Sequence, residues 1–139
     1  MASLIYDNFL DSLVKGGFNF STDTIKVLLV TSTFVANKGT QLSRADVTNE
    51  VVGTGYTAGG NPTTVTCTKD TTNHREDLTF SNVTWNTATI TARAAIIYKS
   101  AGGTAAGDVL VAYVDFGQDV SSTAAAFSVT FSSALRFQN

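Results

Sequence analysis

The chain has 139 residues, 43% of them hydrophobic and only 14% charged, with a formal net charge of −2. That length suits a single domain, 1–139, able to bury roughly two-thirds of the surface its unfolded form exposes. The Lys and Arg residues are scattered singly from Lys15 to Arg136, and no apolar run reaches the ~18 residues of a membrane helix. Neither nucleic acid nor a membrane is therefore an expected partner.

The N-terminal stretch MASLIYDNFLDSLVKGG carries Asp7 and Asp11 and no basic leader, so it does not read as a signal peptide. The spacing of Leu4, Ile5, Phe9 and Leu13 predicts a helix over 3–16, with Ser3 as N-cap and Gly16-Gly17 as the stop. From Ile25 the period changes to two, and strands are predicted over 25–137. Ile25 to Thr33 is a β-branched run of the kind buried on both faces. A polar connection, Val35 to Asn49, follows, with one helical turn expected at Leu42 to Asp46.

In Thr63 to Lys69, Val65 and Cys67 alternate against threonines, which makes Cys67 a small buried hydrophobe. Being the only cysteine, it also excludes an intrachain disulfide. Leu78, Phe80, Val83 and Trp85 reach one side together only if a bulge lies near Asn82. Ile90, Ala92, Ala94, Ile96 and Tyr98 are expected on one strand face, with Arg93 and Lys99 on the other. Leu110, Ala112, Val114 and Phe116 oppose Val109, Val111, Tyr113 and Asp115, and Phe127, Val129 and Phe131 point inward. Linkers are expected at Ala101 to Gly107 and Gln118 to Thr123. About seven short strands indicate an antiparallel sandwich or barrel.

No catalytic constellation emerges, and an enzyme is not expected. Gly53 to Ala58, GTGYTA, matches the dinucleotide-binding fingerprint in letters. That chemistry needs a helix opening on the glycines, and Gly59, Gly60, Asn61 and Pro62 cannot start one in register. Asp115 lacks a second carboxylate that the sequence would pair with it, and His74 is the only histidine, in a polar excursion. No metal or cofactor site is expected. Trp85 reads as core, whereas Tyr56, flanked by glycines, reads as an aromatic exposed at a contact. The surface itself is coated with threonine, serine and alanine, and such a neutral surface is cheaper to desolvate than a charged one.

The segment TNEVVGTGYTAGG, the strand NVTWNTATITARAAIIYK, the run LVAYVDFG and the closing FSVTF, in this order and spacing, resemble a family of small structural proteins of tailed bacteriophages. Members are similar to capsid decoration, or cement, proteins. The resemblance implies a β-sandwich (jelly-roll-like) with one N-terminal α-helix, sitting on the outer surface of the virion after synthesis in the host cytoplasm. It implies two partners, the major capsid protein and the chain itself as a homodimer or homotrimer. The expected contact residues are Glu50, Thr54, Tyr56, Thr57 and Asn61 of the glycine-rich loop, with Leu4, Ile5 and Phe9 of the helix. Two other readings remain open: a host-glycan-binding module of a fibre, and a tail-tube or tail-completion subunit.

Overall fold

Two antiparallel sheets and a short helix make up the computed structural model, which describes residues 2–139. In chain order the elements are β1 (Leu4–Ile5), α1 (Asp7–Val14), β2 (Thr24–Val30), β3 (Asn61–Thr63), β4 (Val65–Asp70), β5 (Arg75–Phe80), β6 (Val83–Ser100), β7 (Leu110–Val129) and β8 (Leu135–Gln138). Single 3₁₀ turns occupy Arg44–Asp46 and Ala105–Gly107. One sheet has the order β1-β7-β6-β2-β3 and the other the order β4-β5-β8. The fold is mainly β and sandwich-like, as the strand spacing indicates.

The larger core lies between the sheets. Ile25, Val27 and Leu29 of β2, Ala95 and Ile97 of β6 and Phe127 and Val129 of β7 meet Phe80 of β5, with Val65 of β4 and Leu135 of β8 packed against them. A second core lies on the opposite face of the five-stranded sheet. There Leu28, Val30, Ala94, Ile96, Tyr98 and Leu110 are covered by Tyr6, Phe34 and Ala36. Strand β2 is thus buried on both faces, which is why its apolar run is continuous rather than alternating.

The predicted helix over 3–16 is shorter at its start. Leu4 and Ile5 pair with Tyr113 and Ala112 at the edge of β7, and the helix begins at Asp7 with Tyr6 as N-cap. Ser3 accepts a hydrogen bond from the Asp115 N–H at 2.9 Å instead of capping a helix. A free sheet edge thus satisfies backbone groups that a helix would otherwise have paired. The stop holds: Gly16 follows the helix with φ +81°.

Three further corrections concern strand faces. No bulge is needed at Asn82, because the chain leaves β5 in one sheet and enters β6 in the other; Phe80, Val83 and Trp85 then meet in the core from opposite sides. Residues 90 to 98 do not share one face. The register shifts between Ala92 and Ala94, so Ile90 and Ala92 face the inter-sheet core with Ala95 and Ile97, whereas Ala94, Ile96 and Tyr98 face the second core. In β7, Val111 and Ala112 both face the inter-sheet core, while Leu110 and Tyr113 face the other. A matching register shift lies between Ile97 and Tyr98. Such bulges re-aim every following side chain.

The expected linker Gln118 to Thr123 belongs to β7, paired through Val120, Ser121 and Ser122 with Ala92, Thr91 and Ile90. Cys67 is exposed rather than buried, because β4 turns Val65 toward the core and leaves its remaining side chains outside or at the margin.

Candidate functional site

The glycine-rich loop is held on both sides. At its start, Val51 N–H donates to Leu29 O at 2.9 Å; in its middle, Thr89 N–H of β6 donates to Thr54 O at 2.9 Å. The approach to β6 requires glycine, since a Cβ on Gly53 would stand 2.5 Å from Thr89 O. Gly60, at φ +69°, lies so close to the Val27 carbonyl that no side chain fits there. The strand β3, not a helix, follows the glycines, so the fingerprint-like letters form no phosphate cradle.

Tyr56 is turned inward. Its ring packs 5.6 Å from that of Trp85, and its hydroxyl accepts the Leu29 N–H at 3.0 Å while donating to Glu50 Oε1 at 2.7 Å. Glu50 Oε1 also accepts the Gly59 N–H at 2.6 Å, and the Tyr98 hydroxyl donates to Gly59 O at 2.6 Å. The Arg44 guanidinium lies 5.5 Å from the centre of the Tyr98 ring and pairs with the buried Asp108 at 2.7 Å. Asp108 in turn accepts the Ala101 N–H at 2.8 Å. Burial holds the Tyr56 hydroxyl well above its ordinary range; the Leu29 N–H opposes this and the Glu50 carboxylate adds to it. Burial likewise pushes Tyr98 up to about 12. This polar chain ties the loop, the first 3₁₀ turn and the β6–β7 connection into one rigid unit.

The predicted contact residues therefore separate. Glu50 and Tyr56 are brought together, but as internal braces. Phe9 is fully buried against Phe18 and Phe20. Asn61 is half-buried, its side chain donating to Thr84 O at 3.2 Å. Thr54 and Thr57 stay on the surface. Leu4 is half-buried and Ile5 exposed, yet both lie on β1, at the sheet edge opposite β3 and its loop. The β1 residues and the loop thus do not form one surface.

What the loop presents outward is Val52, 94% exposed. Beside it lies a shallow depression of about 510 Å³ lined by Thr31, Val52, Thr89, Thr91, Ser121 and Thr123, among others, and no lining residue is charged. Its hydroxyls are pre-set: Thr91 and Ser121 lie 2.7 Å apart, and Thr89 Oγ1 accepts the Ala124 N–H at 2.9 Å. Sequence reading missed Val52 because VVG gives no sign of which valine faces out. Val51 is in fact core.

The other large concavity, about 600 Å³, lies at the β4–β5 turn beside His74 and is lined by charged residues. Arg75 stands 3.3 Å from Asp70 and 3.1 Å from Asp77, and Arg136 pairs with Asp77 at 2.7 Å. Asp115 pairs with Arg93 at 3.0 Å. These carboxylates are engaged in ion pairs, an arrangement that keeps them charged rather than poised for proton transfer. Among the described residues, no group of three His, Cys, Asp or Glu could hold a metal ion. Comparison with protein-family models, with curated proteins and with solved structures found no match for this chain.

Proposed function

We propose that the chain is a structural protein of a tailed-phage virion. In this reading it decorates the outside of the head and stabilises contacts between major capsid subunits. The observation that carries it is the uncharged, hydroxyl-lined depression rimmed by the exposed Val52 on a braced loop. A surface without charges loses little on desolvation, and a rigid loop loses little entropy on docking. A specific contact covers about 800 Å² per partner, a modest share of the 7321 Å² available here.

Decorated and undecorated particles distinguish the outcomes. Shells carrying the protein are expected to rupture at higher temperature and greater osmotic stress, since a ligand of the assembled state stabilises it by mass action. Equal stability with and without it overturns the proposal. Val52→Asp places a charge at the rim; it is expected to weaken shell binding at least about tenfold while leaving the melting temperature unchanged.

The hydroxyl lining also suits a glycan, the second reading. That reading lacks its stacking platforms, because Trp85 and Tyr98 are buried and Tyr56 faces inward. Binding of purified protein to host-surface glycans, lost in Thr91→Lys, would favour it over decoration.

A further inference from the structure

We infer that the β7 edge at Ala126–Thr130 pairs with the same segment of a second copy, giving a twofold dimer through antiparallel strand addition. The inference goes beyond the function proposed above and concerns another face.

The sheet ends at β7 except where β1 covers it, at Ala112 and Tyr113 only. Further along, the direction of the backbone groups can be worked out. Asn61 donates to Thr84 O from the β3 side, so the backbone of Thr84 points away from β7. Thr84 stands opposite Ser128, and opposite residues of an antiparallel pair turn their backbone groups both inward or both outward. Ser128 therefore directs its N–H and C=O away from β6, to the open edge. Alternation extends this to Ala126 and Thr130, while Phe131 N–H turns back toward Asn82 at 3.4 Å. Among the described residues, no backbone group of another segment meets these three.

The second copy fits for three reasons. Ala126 and Thr130 are placed symmetrically about Ser128, so a twofold axis there matches every donor to an acceptor, with about six backbone hydrogen bonds. No charged residue occurs from Val120 to Leu135, so the axis opposes no like charges. On the inner face, Phe127 of each copy would stand beside Val129 of the other, extending the inter-sheet core. A notch of about 200 Å³ lined by Phe116, Val120, Phe127, Ser128 and Thr130 opens on this edge and accepts a side chain of the added strand. Natural edges usually carry charges or proline against such pairing, and this one carries neither.

Sedimentation equilibrium of the purified full chain over a concentration series tests this. Wild type is expected to dimerise reversibly. Ser128→Pro removes only an outward N–H, a place where edge strands tolerate proline, and should weaken the dimer at least about tenfold. Ser128→Lys and Ser128→Glu should each do the same by opposing like charges across the axis, and mixing the two should restore association. A wild type that stays monomeric throughout overturns the inference, as does a dimer unaffected by the three variants. So does a mixture of the charge variants that fails to associate. Where circular dichroism shows Ser128→Pro to be unfolded, the charge pair decides. None of these variants alters the Val52 surface, so a failure here leaves shell binding to be judged separately.

Discussion

Glu50 anchors the loop through one oxygen, which accepts both the Tyr56 hydroxyl and the Gly59 N–H. Tyr56→Phe strands the Leu29 N–H and leaves the Glu50 oxygen with the Gly59 N–H alone, and is expected to cost about 1–3 kcal/mol in denaturant unfolding. Arg44→Met leaves the Asp108 carboxylate, 2% exposed, without its cation. A loss of roughly 3–5 kcal/mol should follow, larger than for either partner of an exposed pair. The raised tyrosines set a pH dependence with a definite sign. Burial lifts Tyr6, Tyr56 and Tyr98 above the ordinary value. The stability they confer is complete below about pH 10 and is lost as pH rises toward the folded-state values, at about 1.4 kcal/mol per pH unit for each. Thermal melts between pH 9 and 12, followed alongside tyrosinate absorbance, check this; a flat melting temperature would refute it. The glycines around Tyr56 were legible as a turn. The direction of its ring was not, because besides the nearby Glu50 it depends on Trp85 and the β2 backbone, both distant in sequence.

At the level of elements, β2 and β4 mark the two extremes. Leu28→Ala in β2, buried on both faces, should cost about 2–5 kcal/mol, whereas Cys67→Ser on β4 should stay within about 0.5 kcal/mol. Cys67 should also react with a thiol reagent in the native protein, without denaturant, because it is exposed. Partial desolvation by its strand neighbours and then the nearby Glu76 raise its thiol pKa, so the rate should still be climbing at a pH where that of a free thiol has levelled off. Strand existence was readable from period-two patterning, but faces within β6 and β7 were not. Pattern reading assumes a regular pleat, and here register shifts at Ala92/Ala94 and Ile97/Tyr98 exchange the two faces partway along. Two more flank Ala88, where Thr87 and Ala124 hold positive φ. A bulge has no strong single-residue signature unless glycine supplies it.

For the whole molecule, composition already described the kind of surface: neutral, rich in hydroxyls and poor in charge. The expectation that shells gain stability from bound protein, and that Val52→Asp weakens this without unfolding the chain, belongs to this scale. The letters alone are enough for a mainly β chain with a two-sided central strand, a short N-terminal helix, a closing inward strand and no intrachain disulfide. Those properties follow from local periodicity and residue counts. Long-range strand pairing makes the helix yield its first residues to a sheet edge, and makes Tyr56 brace the loop while Val52 presents it. It also separates the loop from the N-terminal segment, at opposite edges of one sheet. The physical reason is the same in each case. Side-chain direction and edge exposure depend on which distant strand pairs with which, and hydrogen bonds between β1 and β7, or between the loop and β6, leave no local trace in the letters.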